Sequence, residues 1–459
     1  MSTSPVVVIL VVGLTPSMLG PNTPHLTALA KDGFSAPLEP VLPAVTCSAQ
    51  ATLLTGELPR QHGIVANGWY FRELAEVLFW RQSNRLVTHE KVWEAARRAR
   101  PGLTTAKLFW WYNMYSTAEF SITPRPIYPA DGRKLPSVYS HPAELGQELQ
   151  ERLGTFPLFN FWGPNANLSS TEWIAKASLA TFNEKRPDLT LIYLPHLDYC
   201  LQKYGPRDPR VQKEIHDVDR IAGELIEKTR ARGAEVVVVS EYGIEQAEGA
   251  VRINQRLREA GLLAVQETLG WELLDAGASR AFAVADHQLA HVYVRAPEDL
   301  SRVRELLTKE PGIERVLDEQ GKRELGLDHP RSGELVALAE PGYWFAYYYW
   351  LDDARAPDFA RTVDIHRKPG YDPVELFLDP DSRLVKARIA WTLAKKMAGF
   401  RYLMDVIPLK PELVRGTHGR VTVGDAGPVI LCSNKRGAKD RFHQREFKAF
   451  LLAQLGIRA

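Results

Sequence analysis

Thr46 is the first residue whose type and position could do chemistry, because it stands where a helix is predicted to begin, shortly after Pro43. The free N–H groups and the dipole at a helix N-terminus attract an anion. A hydroxyl at that position can act as a nucleophile when a metal ion or a base lowers its pKa. Threonine is also a common helix N-cap, and composition alone favours this simpler role. Both interpretations stay open at this point.

Further polar side chains follow segments that we predict to be buried strands. His196 and Asp198 come directly after Leu191–Leu194, and the residues 240–243 follow the valine run 236–239. In parallel sheets, ligands bind at the carboxyl ends of the strands. We therefore predict that these polar side chains gather at one edge of a sheet.

The elements that must position these residues indicate an α/β fold. The run 6–12 is continuous and rich in β-branched residues, which is typical of a parallel strand covered on both faces. The segment 207–232 carries apolar residues at helical spacing and precedes another apolar run. Strands that alternate with helices predict a mostly parallel sheet sandwiched by helices. We predict an α/β core from residues 1–245 and 400–459, with 246–399 forming an insertion or cap subdomain.

Residues 46–67, TCSAQATLLTGELPRQHGIVAN, resemble the signature of the nucleotide pyrophosphatase/phosphodiesterases of the alkaline phosphatase superfamily. In that family a nucleophilic threonine begins a helix that ends in Thr-Gly. A proline, a His-Gly-Ile/Val motif and an asparagine follow. The resemblance implies that Thr46 is the nucleophile and that Asn67 hydrogen-bonds a phosphoryl oxygen. The segment 22–30, NTPHLTALA, is similar to a preceding helix of the same family.

Three later segments resemble the family's metal-binding motifs in their order and spacing. They are LPHLDYCLQKYGP at 194–206, VVVSEYGI at 237–244 and GTHGR at 416–420. The resemblance implies a divalent metal centre, usually two zinc ions, and gives Asp198, Glu241 and His418 as metal ligands. It also implies a metal-dependent hydrolase of phosphodiester or pyrophosphate bonds in a small nucleotide-like or other phosphorylated metabolite.

The pattern departs from the family at four ligand positions. Val12 stands where an Asp is expected, Gln202 where a His is expected, and Glu241-Tyr242 where the family has Asp-His. Valine has no donor atom, and Gln and Tyr are poor or uncommon zinc ligands. One interpretation is a remodelled site that binds one Mn or Mg ion, with His366 as a further ligand and His287 as a spare candidate.

Two alternatives stay open beside the remodelled metal site. The chain could be a catalytically altered or inactive family member that binds a phosphorylated metabolite without hydrolysing it. It could also use different chemistry, through Cys47 or the Tyr242 hydroxyl.

The region 109–142 is dense in Trp, Tyr and Pro and is predicted to wall the pocket. We predict substrate-binding roles for Tyr242, for Trp110 as a ring that stacks a flat leaving group, and for Lys107 as a charge for a phosphate. The alternatives are rings packed under a helix and a solvated lysine.

Composition limits the partners and the compartment. The net charge of +2, from 57 basic and 55 acidic residues, gives no general attraction to a nucleic acid polymer or to a membrane, and we predict neither partner. Three cysteines without a CxxC pair fit a reducing compartment. The apolar start lacks the basic flank of a signal peptide, so we expect a cytoplasmic protein. The oligomeric state is left open.

Overall fold

The computed structural model describes residues 4–130, 133–382 and 384–457 and has the mixed α/β character that the sequence predicts. Its strands are β1 (Val6–Val11), β2 (Phe34–Glu39), β3 (Gly68–Phe71), β4 (Glu76–Phe79), β5 (Thr105–Leu108), β6 (Phe120–Pro124), β7 (Val138–His141), β8 (Leu189–Leu194), β9 (Glu235–Val239), β10 (Glu245–Gln246), β11 (Gly249–Val251), β12 (Val265–Thr268), β13 (Trp271–Leu274), β14 (Ala281–Asp286), β15 (Leu289–Val294), β16 (Ile313–Leu317), β17 (Leu335–Ala339), β18 (Tyr343–Phe345), β19 (Gly416–Thr417), β20 (Val429–Cys432) and β21 (Phe442–His443).

The α-helices flank the strands and connect them. They are α1 (Pro24–Asp32), α2 (Thr46–Thr55), α3 (Pro59–His62), α4 (Val92–Ala99), α5 (Ala143–Leu153), α6 (Leu168–Lys185), α7 (His196–Tyr204), α8 (Arg210–Arg230), α9 (Ile253–Glu259), α10 (Leu300–Thr308), α11 (Glu319–Leu325), α12 (Val385–Met397) and α13 (Phe447–Gln454). Within the part of the chain that the structure describes, no helix has both the length and the apolar character needed to cross a bilayer.

A nine-stranded sheet forms the core, in the order β21-β2-β20-β9-β1-β8-β5-β6-β7. The central strand β1 pairs in parallel with β8 and with β9, and β5 pairs in parallel with β8 and β6. Antiparallel pairing occurs where β20 inserts between β2 and β9, and at the β6–β7 edge. The prediction of a mostly parallel sheet flanked by helices is therefore confirmed.

The apolar runs of the sequence become the centre of this sheet. Every residue of β1 and β8 is buried, as are the valines of β9, because helices cover both faces of the sheet. Helices α1, α5, α6, α7 and α8 contact one another as one group, and α2, α4 and α13 form a second group.

A second, four-stranded antiparallel sheet, in the order β14-β15-β17-β16, lies wholly between residues 281 and 339. Its β14–β15 hairpin turns through His287 and Gln288, and His287 has a positive φ of 58°. That conformation is uncommon for a residue with a Cβ. The boundaries predicted for an insertion stay a prediction, although this sheet falls inside them.

Candidate active site

Thr46 opens α2, a helix whose ten residues are all buried. The N-cap residue is Val45, and it makes no side-chain cap. The Thr46 hydroxyl instead lies 2.9 Å from Tyr242 Oη. The N-cap interpretation of Thr46 is therefore wrong, because the residue sits inside the helix and its hydroxyl faces a residue from another loop.

The Thr46 hydroxyl begins a line of hydrogen bonds. Tyr242 Oη donates to Asp198 Oδ1 over 3.4 Å, and Gln202 Nε2 donates to Asp198 Oδ2 over 2.9 Å. Tyr371 Oη donates to Gln202 Oε1 over 2.9 Å. Either hydroxyl can donate in the bond between Thr46 and Tyr242, and both hydroxyls also bond the Glu241 carboxyl. The Asp198 carboxyl thus accepts hydrogen bonds from Tyr242 and Gln202. Tyr242 is also bonded to Thr46, and Gln202 is also bonded to Tyr371.

Four aromatic rings form a column beside this line. The Tyr242 and His418 rings are stacked with centroids 3.7 Å apart and planes within 8° of each other. The His418 and His287 centroids are also 3.7 Å apart, and so are those of His287 and Tyr371. The column joins the loop after β9, the residue after β19, the β14–β15 hairpin and the segment around Tyr371. Tyr242 and Tyr371, the two outer rings, carry the hydroxyls that reach toward Asp198.

Burial dominates the electrostatics of this column. It raises the pKa of Asp198 to about 7 and raises that of Tyr242 well above its usual value. Burial also lowers the pKa values of His287 and His418, so both imidazoles are neutral. His418 Nδ1 bonds the carbonyl oxygen of Ala44 over 2.8 Å. In the described part of the chain, neither the His287 Nε2 nor the His418 Nε2 atom has a hydrogen-bond partner.

Glu241 lies on the other side of Thr46. Its Oε1 accepts a hydrogen bond from Gln50 Nε2 over 2.6 Å, and Gln50 Oε1 accepts one from the backbone N–H of Trp111 over 2.7 Å. Burial raises the pKa of Glu241 well above its ordinary value, although the bond from Gln50 opposes the shift. Gln50 therefore links the helix that begins at Thr46 to the aromatic loop after β5.

Asn67 is tied to both the helix and the hairpin. Its Oδ1 accepts the backbone N–H of Cys47 over 2.9 Å, and its Nδ2 donates to Asp286 Oδ1 over 3.0 Å. Asp286 Oδ2 also accepts the Asn67 backbone N–H over 2.7 Å, while Oδ1 pairs with His287 Nδ1 at 2.7 Å. One Asn67 Nδ2 hydrogen remains available beyond the bond to Asp286. The amide is thus held rigidly next to the start of α2, where an anion is favoured.

Aromatic side chains continue outward from Tyr371. Trp80 lies 6.0 Å from the Tyr371 ring and 4.7 Å from Trp111, and Trp162 lies 5.8 Å from Tyr371 and 5.6 Å from Tyr199. The three tryptophans are partly exposed, whereas both tyrosines are buried. These rings, which we call the aromatic wall, offer flat apolar faces to a ligand near Thr46.

The structure brings together most of the predicted site residues: Thr46, Asn67, Asp198, Glu241, Tyr242 and His418. It does not place Trp110 there. The Trp110 ring is fully buried in the core of the central sheet, so a stacking role for this residue is wrong. The neighbouring Trp111 reaches the aromatic wall instead.

Lys107 and His366 make contacts that differ from the predicted ones. The Lys107 ammonium is buried and donates to the carbonyl oxygens of Trp111 and Tyr112, so it holds the aromatic loop and is not solvated. Burial lowers its pKa far below that of a free lysine. His366 has the backbone of Phe79 and the side chains of Arg81, Lys134 and Asp364 as its electrostatic neighbours. Neither position supports the predicted role at a phosphate or a metal.

Sequence reasoning missed Asp286, Tyr371 and Gln50, and it named His287 only as a spare candidate. A signal existed for one pair, since Asp286-His287 places a carboxylate beside an imidazole at a tight turn. Gln50 and Tyr371 gave no such signal, because their partners lie far away in the sequence.

The fold and the site define an α/β protein whose buried hydroxyl sits at a helix N-terminus beside carboxyl, imidazole and phenol groups. Residues 6–372 match the family described as type I phosphodiesterase/nucleotide pyrophosphatase. The chain belongs to this family.

Individual relatives agree with this assignment. The chain is 26% identical over 233 residues to an uncharacterised pyrophosphatase/phosphodiesterase of Schizosaccharomyces pombe, a match that covers 48% of this chain and 41% of that relative. The match thus spans less than half of the relative's length. A murine ectonucleotide pyrophosphatase/phosphodiesterase 5, solved as an inactive threonine-to-alanine variant in complex with AMP, has the same fold with a TM-score of 0.61 at 15% identity. That match covers 99% of this chain and 96% of the murine one. Phosphonoacetate hydrolase from Sinorhizobium meliloti, in complex with phosphonoacetate, gives a TM-score of 0.64 at 14% identity with the same coverage.

The donor set does not fit the two-metal centre that the family resemblance implies. Val12 lies in the hydrophobic core, the Tyr242 hydroxyl occupies the hydrogen-bonding position beside Thr46, and Gln202 donates to Asp198. Of the expected donors, Asp198 Oδ1 and His418 Nε2 are 3.6 Å apart, and Glu241 is held by a hydrogen bond from Gln50. Among the described residues, no three His, Cys, Asp or Glu side chains are grouped to hold a metal ion.

Proposed function

We propose that the chain hydrolyses phosphodiester or pyrophosphate bonds in a small nucleotide-like or other phosphorylated metabolite, with Thr46 as the nucleophile. The observation that carries the proposal is the hydrogen-bonded line from Thr46 Oγ1 through Tyr242 Oη to Asp198 Oδ1. This line gives the hydroxyl an acceptor for its proton at a helix end that attracts anions. The murine relative that is inactive as a threonine-to-alanine variant is in keeping with an essential threonine.

In the proposed reaction, Thr46 Oγ1 attacks phosphorus while its proton passes to Tyr242 Oη and the Tyr242 proton passes to Asp198. The bond from phosphorus to the leaving oxygen breaks, and the leaving group departs. The threonine adduct is itself a phosphodiester, because phosphorus keeps the second ester group of the substrate. Water then hydrolyses the bond between phosphorus and Thr46 Oγ1 and releases that group as a phosphomonoester. The second Asn67 Nδ2 hydrogen is proposed to hold a non-bridging phosphoryl oxygen, since such donors stabilise the charge that develops in the transition state.

The leaving group would lie against the aromatic wall. Trp80, Trp111 and Trp162 are partly exposed and close to Tyr371, so they offer stacking faces for a nucleobase or another flat group. AMP bound to the murine relative is a small phosphorylated molecule, and phosphonoacetate bound to the bacterial one is a small phosphonate. These ligands support a small phosphorylated substrate for this chain.

A divalent ion, zinc or else manganese or magnesium, is the cofactor that the family resemblance implies. Because the donor set does not fit a two-ion centre, the reaction above uses side chains alone. Elemental analysis of the purified chain by mass spectrometry measures how many ions it carries. Two equivalents of zinc would contradict the side-chain mechanism.

The hydrolase proposal is tested with bis(p-nitrophenyl) phosphate and a dinucleotide pyrophosphate as substrates. Turnover is expected with the wild type and is expected to vanish in Thr46→Ala. Acid-quenched mass spectrometry of the wild type is expected to show a p-nitrophenyl phosphoryl group, or a nucleotidyl group with the dinucleotide substrate, on the peptide that contains Thr46. Thr308→Ala, a change on exposed α10, is the matched control and should leave turnover unchanged. Equal turnover in wild type and Thr46→Ala would overturn the nucleophile assignment.

A second candidate function is binding without hydrolysis. The observation that favours it is the replacement of the family's metal ligands by Val12, Gln202 and Tyr242 in a closed hydrogen-bonded network. Calorimetry with AMP distinguishes the two functions. Tight binding with no turnover, unchanged in Thr46→Ala, would favour the binding protein.

A further inference from the structure

Exposed apolar side chains are concentrated in residues 384–403, which we call the basic apolar segment and which contains α12. Among the described residues, large hydrophobic side chains that are strongly exposed occur 15 times, and 6 of them lie in this segment. They are Leu384, Trp391, Leu393, Met397, Phe400 and Leu403. A cluster of this density on a soluble surface marks a site of interaction.

Helix α12 carries apolar residues on its outer face as well as on the face that packs against the protein. Val385 and Ile389 pack against a small core cluster that includes Val374 and Val406. On the opposite side, Trp391 is 65% exposed and Met397 is 88% exposed. Three exposed alanines at positions 387, 390 and 394 continue this outward stripe at helical spacing. A helix that simply covers a core would instead present polar residues to water.

The same segment is strongly cationic. It contains five Lys and Arg residues and no Asp or Glu, whereas the whole chain has a net charge of +2. The remainder of the chain is therefore net negative. The ammonium of Lys395 lies 5.5 Å from the centre of the Trp391 ring, so a cation and an apolar ring share one surface. Arg388 pairs with Asp405 at the edge of the segment.

Aromatic, methionine and alanine side chains flanked by cations are typical of helices that lie in the interface of an anionic bilayer. We propose that the basic apolar segment is a peripheral contact surface for anionic lipid. Charge complementarity selects this occupant over a second copy of the chain, because two copies would bring like charges together. The surface is independent of the proposed hydrolysis and requires no membrane-spanning helix.

This proposal departs from the expectation, drawn from overall charge, that the chain has no membrane partner. The overall charge is close to zero because the cationic segment and the net negative remainder cancel in the sum. A membrane surface experiences the local charge, since electrostatic attraction is screened beyond roughly 8 Å at physiological ionic strength.

The test is co-sedimentation of the full chain with large vesicles. Binding is expected to vesicles of phosphatidylcholine with added phosphatidylglycerol, to weaken as salt is raised, and to be much weaker with phosphatidylcholine alone. Lys395→Glu is expected to weaken binding about tenfold. A double variant, Trp391→Ser with Met397→Ser, is expected to weaken it by a similar factor because it removes the inserting side chains.

Matched controls separate this surface from general effects. Lys309→Glu makes the same charge change at the exposed C-cap residue of α10, and Leu269→Ser removes an exposed side chain from the β12–β13 turn. Both should leave vesicle binding unchanged, and all variants should keep the thermal midpoint of the wild type. No binding to anionic vesicles, equal binding to neutral ones, or equal losses in the controls would overturn the proposal. A dimer in solution that the Trp391 and Met397 changes dissociate would overturn it in favour of a second copy.

Discussion

The ring column and the basic apolar segment place similar residue types in opposite environments. In the column, Tyr242, His418, His287 and Tyr371 are buried, stacked and neutral, and hydrogen bonds hold the two tyrosine hydroxyls. In the segment, apolar and cationic side chains face solvent. Burial turns polar groups into a fixed network, whereas exposure leaves apolar groups available to a partner. Substitutions in the column should therefore lower turnover or stability. Substitutions in the segment should leave both nearly unchanged and weaken binding to a partner.

The largest expected effect follows from removing the hydroxyl that faces Thr46. Tyr242→Phe keeps the ring stacked on His418 but removes the acceptor for the Thr46 proton. We expect kcat for bis(p-nitrophenyl) phosphate to fall about a hundredfold or more, with KM little changed. Circular dichroism and the thermal midpoint should match the wild type.

Tyr348→Phe is the matched control for that change, because this buried tyrosine lies outside the site and its hydroxyl lacks a hydrogen-bond partner in the described structure. Equal turnover in Tyr242→Phe and Tyr348→Phe would contradict the proton route through Tyr242.

The second-largest effect is expected from removing the Asp286 carboxyl, which bonds Asn67 and His287 at the β14–β15 hairpin. Asp286→Ala leaves two Asn67 N–H groups and the His287 Nδ1 atom without their partner inside the protein. We expect the free energy of unfolding, measured by urea denaturation, to fall by about 3 kcal/mol. Asp286→Asn preserves the shape of the side chain and one acceptor oxygen, so its free energy of unfolding should fall clearly less than that of Asp286→Ala. An Asp286→Ala protein as stable as the wild type would show that the hairpin is held by other contacts.

A smaller effect is expected where His62 joins α2 to the loop that carries Asn67. Its Nε2 bonds Thr52 Oγ1 over 3.0 Å, and its Nδ1 accepts the Ile64 N–H over 3.1 Å. His62→Gln is expected to cost about 1–2 kcal/mol of the free energy of unfolding.

His62 also predicts a pH dependence. Burial lowers its pKa to about 3, so the folded state resists protonation while the unfolded chain takes up a proton below about 6.5. Its contribution to stability is therefore complete above pH 6.5 and decreases as the pH falls toward 3. The decline should be shallower in His62→Gln than in the wild type. His216→Gln, on the exposed face of α8, is the matched control for the substitution.

The smallest effect is expected in the basic apolar segment. Trp391→Ala removes a side chain that is 65% exposed, so the free energy of unfolding should change by no more than about 0.5 kcal/mol. The comparison with the ring column predicts normal turnover of a soluble substrate and reduced binding to anionic vesicles. A large loss of stability would show that the tryptophan packs against the protein, and the contrast between the two regions would disappear.

Local patterns were sufficient to predict the architecture and the start of the site. The β-branched run at 6–12 predicts a buried parallel strand because few other structures accommodate such a run. The motif from Thr46 to Asn67 is local, and the structure brings its two ends together, since Asn67 Oδ1 accepts the backbone N–H of Cys47. By contrast, the predicted stacking role for Trp110 is wrong, because Trp110 is buried and its neighbour Trp111 lies in the aromatic wall. Composition does not show which of two adjacent rings turns toward the sheet.

The sequence by itself determined the α/β class, the helix that begins at Thr46 and the polar residues that end β8 and β9, since each depends on interactions between near neighbours. Tertiary structure alone decided that Tyr242 bonds Thr46, that Asp286 holds Asn67, and that His287 stacks between His418 and Tyr371. Those contacts join residues that are distant in the chain, and they depend on how the two sheets pack. Tertiary structure also decided which face of α12 is exposed. Val385 and Ile389 pack against a core cluster, and the apolar residues on the other face are left in contact with solvent.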